Sequence, residues 1–131
     1  MSGVVLTPLG RWYQECIAAL RRVVDASNAM FAAYDSGSSS VTSKARTLER
    51  AANDAAEWLE QNPAPGSSEL TEHYKSMVHL YRESAKIVEE ASAAGELFAD
   101  GDRDRRLVEL GEEIRRHSSA TDAIRASTHR L

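Results

Sequence analysis

Apolar residues return at alternating steps of four and three along most of this chain, and that spacing leaves few folds open. Leu9, Tyr13, Cys16, Leu20, Val23, Ser27, Met30 and Tyr34 form one such stripe, and Tyr13, Ile17, Leu20, Val24, Ser27, Phe31 and Tyr34 form a second beside it. A period near 3.6 residues places each stripe along one side of an α-helix, and two adjoining stripes give the broad buried side that a bundle helix needs. Thr7-Pro8 supplies the start: Thr suits the N-cap, and Pro suits the first helical position, where a missing N–H costs nothing.

The same spacing predicts three further helices, so that four run over roughly 8–34, 43–61, 68–99 and 103–126. The second carries Ala45, Leu48, Ala52, Ala55 and Leu59, with Ala51 and Trp58 flanking, and Asn62-Pro63-Ala64-Pro65-Gly66 stops it. Its small residues admit a close neighbour but bury little area, so this helix depends on its partners. In the third, Ser67 or Ser68 caps a run of Leu70, Tyr74, Met77, Tyr81, Ser84, Val88 and Ala91, which a second stripe through Leu80, Ile87, Ala94 and Phe98 adjoins. Gly101 and Asp102 read as the next turn and cap, and Leu107, Leu110, Ile114, His117, Thr121 and Ile124 mark the fourth helix. Residues 35–42 read as a flexible loop, and residues 1–6 and 128–131 as frayed ends.

At 131 residues the chain suits one domain, and short connections between rods of this length favour an antiparallel, up-down-up-down four-helix bundle. With 6% aromatics, 7 Gly and 3 Pro, a turn-rich sandwich or barrel is disfavoured. A net charge of −4, with basic clusters interleaved by acids, argues against a nucleic-acid partner. No run of about 18 apolar residues occurs, so no membrane span is expected, and the single Cys16 makes no internal disulfide. A soluble cytoplasmic setting is the expectation.

Polar residues interrupt three of the four seams. Ser27, Ser84 and His117 fall at similar heights, about 22–27 Å from the end where the first helix starts, with Tyr81 one turn below Ser84. The expectation is a polar layer of Ser27, Tyr81, Ser84 and His117, serving either as a hydrogen-bonded cluster that fixes register or as a pocket for a small ligand.

Catalytic and metal chemistry lack their usual patterns. His79 and Glu83 have a spacing that resembles hemerythrin-like bundles, but no His-x-x-x-His and no Glu-x-x-His accompanies it, and their stripe faces water. His73 flanks its seam and reads as packed. Cys16 lies on the core seam with no activating partner in view. Phosphate-binding glycine loops and zinc-spaced Cys and His are missing, as are the Trp-x-Gly turn of WXG-type hairpins and the Arg–His pair of helical ribonuclease modules. No cofactor or metal is therefore expected. The reading is a non-catalytic bundle acting through protein–protein contact, as an adaptor or regulatory module or as a homodimer, with Trp58 as a candidate interface anchor. The alternative is a small-molecule sensor built on the polar layer around His117.

Overall fold

The structure is a computed structural model that describes residues 7–98 and 101–128, the side chains of 122 and 125–128 excepted. The described residues form four α-helices and no strand: α1 (Pro8–Asp35), α2 (Val41–Gln61), α3 (Ser68–Ala93) and α4 (Asp102–Thr128). The chain is a four-helix bundle, as the stripes require. Of the ends expected to fray, residues 1–6 and 129–131 lie outside the described residues, whereas Thr128, expected to fray with them, belongs to α4, which runs two residues past its expected end at 126.

Side-chain oxygens cap two of the helices at their starts. Thr7 Oγ1 accepts from the Gly10 N–H at 3.0 Å, and Ser67 Oγ accepts from the Leu70 N–H at 3.2 Å, so each satisfies a donor that the helix leaves open. The ends of α1 and α3 share one device. Gly37 (φ 68°) and Gly95 (φ 69°) enter the left-handed region. There Gly37 N–H reaches the Tyr34 carbonyl and Ser38 N–H the Ala33 carbonyl, just as Gly95 N–H reaches Ser92 and Glu96 N–H reaches Ala91.

Gly95 corrects the expected third helix. The spacing carried it to 99, because Ala94 and Phe98 prolong the apolar stripe, yet α3 ends at Ala93. Gly95, not Gly101, is the left-handed terminator. A second correction concerns the loop expected over 35–42. Asp35 and Val41 belong to helices, and only residues 36–40 connect them. Val41 is completely buried, so the core reaches into the first turn of α2.

Contacts between helix ends are those that alternating directions require. Trp12, at the start of α1, meets Trp58 at the end of α2 with ring centroids 5.9 Å apart, and meets Tyr74 near the start of α3 at 6.0 Å. At the other end Thr42 donates to Ser92 at 2.9 Å, and the Tyr34 hydroxyl donates to Asp104 of α4. Cys16, Val23 and Met30 of α1, Leu48 and Leu59 of α2, Leu70, Val78 and Val88 of α3, and Leu107 and Leu110 of α4 fill the interior. Leu20, Met77 and Ile114 also point inward. No described helix is long and apolar enough to cross a membrane.

The bundle is not closed evenly. Among the described residues no Cα of α1 comes within 8 Å of a Cα of α4, whereas α1 packs closely on α2, α2 on α3, and α3 on α4. Across that wider gap the two helices meet through long side chains: Tyr34 reaches Asp104, and the Phe31 ring extends to Gly111, where an added Cβ would stand 3.9 Å from it. The second stripe of α1 was expected to be buried throughout. Leu20 and Ser27 are buried, but Ile17 and Val24 are exposed, because α4 does not come close enough to cover them.

Candidate functional site

The gap between α1 and α4 is an open groove with α3 as its floor. Near the start of α1, Ile17, Leu20, Arg21 and Val24 face Ser118 and Thr121 across Tyr74, Met77 and Tyr81, around about 380 Å³. The middle segment, about 370 Å³, lies between Ser27, Phe31 and Tyr34 of α1 and Leu107, Val108, Gly111 and Ile114 of α4. A shallower segment of about 570 Å³ ends the groove at Tyr34, Phe98, Asp104 and Val108.

Four large hydrophobic side chains are exposed among the described residues: Ile17 (42%), Val24 (37%), Phe98 (42%) and Val108 (57%). All four line this groove. Phe98 stands out further because its φ is 63°, a left-handed conformation that costs an L residue with a bulky side chain about 1–2 kcal/mol. Its ring lies 5.2 Å from that of Tyr34, so packing at the groove end opposes the backbone strain.

The expected polar layer comes together only in part. Ser27 and Tyr81 line the middle segment together, and the Tyr81 hydroxyl also reaches Ser118. Burial raises the Tyr81 pKa, with the Ser118 hydrogen bond acting against it, so the phenol stays protonated. Ser84 is fully buried and donates to the Leu80 carbonyl of its own preceding turn at 3.0 Å. His117 lies in neither of these two segments; its Nδ1 sits 3.1 Å from the Glu113 carbonyl, one turn back. Of the four, only Ser27 and Tyr81 line a common segment. Trp58 is half-buried against Trp12.

His73, read from sequence only as packed, proves to hold α4 to α3. It is 8% exposed, its Nε2 lies 2.8 Å from Thr121 Oγ1, and its ring stacks on His117 at 5.8 Å. Burial lowers its pKa first, the neighbouring His117 lowers it further, and Glu69 partly opposes both. The unfolded chain therefore takes up this proton first as pH falls. Stability supplied by neutral His73 is fully present above the ordinary histidine pKa of about 6.5 and is lost as pH drops below it. Glu89 acts in the opposite sense: burial and the neighbouring Glu49 push its carboxyl up to about 7, against Arg46 and Lys86. The expected result is thus a difference. The stability gap between the wild type and His73→Gln, from denaturant titrations, shrinks between pH 7.5 and pH 5, whatever the slope of either protein alone.

Cys16, His79 and Glu83, the groups weighed for chemistry, line none of the three segments of the groove. Cys16 is completely buried, and desolvation pushes its thiol up to about 12, so it is not a thiolate at neutral pH. His79 lies 3.5 Å from Glu83 on an exposed face. Among the described residues no group of three or more His, Cys, Asp or Glu could hold a metal ion.

The groove was missed from sequence although a signal for it exists. Large apolar residues on α4 are few, with Leu107, Leu110 and Ile114 giving way to His117 and Thr121, and so narrow a stripe cannot cover both α3 and the second stripe of α1. Comparison of the chain with family models, with curated proteins and with solved structures yields no match in any of the three.

Proposed function

We propose that this protein is a non-catalytic helical bundle that acts through protein–protein contact, and that the groove between α1 and α4 is its contact surface. One observation carries the reading: the exposed large hydrophobic side chains among the described residues all gather there. Scattered exposed apolar residues are ordinary, but a set concentrated on one concave face marks a surface that a partner covers. A helix laid in a groove of this kind places side chains at helical spacing into successive segments, and the groove has three.

A net charge of −4 and charges of both signs along the groove support a protein partner over a nucleic acid. Cys16, buried as a thiol, is compatible with a reducing cytoplasmic setting. Homodimerisation and an adaptor role are both forms of this contact. Trp58, packed on Trp12, is a less available anchor than Val108.

The test is affinity capture with the wild type, Ile17→Glu and Val108→Glu. Both changes replace exposed side chains, so helicity and melting temperature should stay close to wild type. Bound protein should be lost, since a charge buried in an apolar contact costs at least about 2 kcal/mol. Binding that is indifferent to both changes removes the groove from the function. The second reading, a small apolar ligand held beside Ser27 and Tyr81, draws on the space in the middle segment. It would be favoured by a ligand-dependent rise in melting temperature that Ser27→Leu abolishes.

A further inference from the structure

We infer that the stacked rings of His73 and His117 form an acid-sensitive latch: protons taken up by the pair loosen α4 from α3, the second half of α4 first, while α1, α2 and α3 stay packed together. Such a latch works whatever fills the groove.

Among the described residues, α4 approaches only α3 at the level of the backbone. Its buried side chains, Leu107, Leu110 and Ile114, all lie in its first half. Beyond Ile114 no described side chain is buried, and Ile124, half-covered, is the one large apolar residue there. That half is held largely by polar contacts. His73 Nε2 lies 2.8 Å from Thr121 Oγ1, the His73 and His117 rings stack 5.8 Å apart and 19° from parallel, and Tyr81 bonds Ser118.

The hydrogen bonds fix both tautomers. Thr121 Oγ1 gives its proton to the His117 carbonyl at 3.1 Å, so His73 Nε2 carries the hydrogen it shares with Thr121. His117 Nδ1 faces the Glu113 carbonyl, which only accepts, so Nδ1 carries the hydrogen there. An added proton goes to His73 Nδ1 or His117 Nε2 and breaks neither bond. What it brings is charge, on a buried ring at His73 and, once both are protonated, on two cations held face to face.

Among the described side chains, the charged groups acting on His73 are Glu69 of α3, which favours its protonation, and His117 of α4, which opposes it. Toward α1 stand phenols: Tyr74 meets the His73 ring edge-on at 5.3 Å, and its hydroxyl is bonded to that of Tyr13. No charge on α2 acts on it. Leaving α3 separates the two rings and returns them to water, so proton uptake favours the loosened helix as pH drops below about 6.5. The seam between α2 and α3 responds with the opposite sign. Glu89 of α3 shares a hydrogen bond with Glu49 of α2, and burial beside that carboxyl, against Arg46 and Lys86, pushes its pKa up to about 7. Its protonation in acid strengthens that seam, so acid acts unevenly on the bundle.

The test is hydrogen exchange of the full chain between pH 7.5 and pH 5, read by mass spectrometry as protection factors, which remove the intrinsic pH dependence of exchange. Protection over residues 115–128 should fall about tenfold, over 103–114 by less, and over α1, α2 and α3 hardly at all. The midpoint of the fall should coincide with the histidine titrations followed by NMR, a comparison that needs no variant. His73→Gln/His117→Asn keeps a donor nitrogen near each original one but takes up no proton, so its protection over 115–128 should stay level. Level protection of 115–128 in the wild type, an equal fall in all four helices, a midpoint apart from both histidine titrations, or an undiminished fall in the folded variant each overturns the latch.

Discussion

Leu48→Ala is expected to lower the unfolding free energy by about 3–4 kcal/mol, the upper part of the range for a large-to-small change in a core. The reason lies in the composition of α2. Its buried residues are Val41, Ala45, Leu48, Ala52, Ala55 and Leu59, so two leucines and a valine supply most of the apolar area that holds this helix in place. Leu48 is completely buried, as are Ala45 and Ala52 one turn to either side of it. Small residues have no rotamers with which to fill a vacated space, so the cavity stays open and its cost is added to the lost transfer energy. Since a domain of this size holds about 5–15 kcal/mol in all, the variant should remain folded but with a much lower urea midpoint at an unchanged slope. A loss below about 1.5 kcal/mol would mean that the helix relaxes into the gap.

Trp12→Ala should cost about as much, some 4 kcal/mol, through a different mechanism. Trp12 is 5% exposed and sits among Tyr13, Trp58 and Tyr74, with its indole N–H donating to the Asn62 carbonyl at 2.6 Å. That bond ties the start of α1 to the residue that follows α2. Truncation removes a large apolar surface, edge contacts worth about 0.5–1.5 kcal/mol, and the donor to a partly buried carbonyl. Trp58→Ala, at a half-buried site, should cost about 1–2 kcal/mol. A double-mutant cycle should return a coupling of about 1 kcal/mol, read from urea transitions followed by circular dichroism because the tryptophan signal itself is altered. Zero coupling would show that the two rings are neighbours without being energetic partners.

The residues that were legible are those whose position depends on a single helix. Thr7 and Ser67 cap as their chemistry dictates, and Cys16, Val23, Leu48, Leu70 and Leu110 are buried on the stripes where periodicity places them. Illegible features depend on relations between helices. Stripes that look alike on paper diverge in burial, Leu20 at 7% against Ile17 at 42%, because exposure is decided by how near α4 comes. Height along a rod can be computed from 1.5 Å per residue, but the direction of a side chain around it depends on the packing angle. Ser27 and Tyr81 accordingly line one segment of the groove, while Ser84 bonds a carbonyl of its own helix and His117 lies against Glu113 and the ring of His73. The end of α3 was missed for a local reason: one glycine at φ 69° outweighs the apolar spacing that runs on past it.

Because α4 leans on α3 and stands off from α1, it is the part of the molecule with least to lose by leaving. Its detachment gives up one helix–helix seam together with the His73–Thr121 and Tyr34–Asp104 bonds, while the other three helices keep their mutual packing. Amide protons along α4 should then exchange with solvent through an opening smaller than global unfolding, which makes this helix a separate cooperative unit. A partner seated in the groove would fasten that hinged rod from the outside, and the slowing of its proton exchange along its whole length would register occupancy.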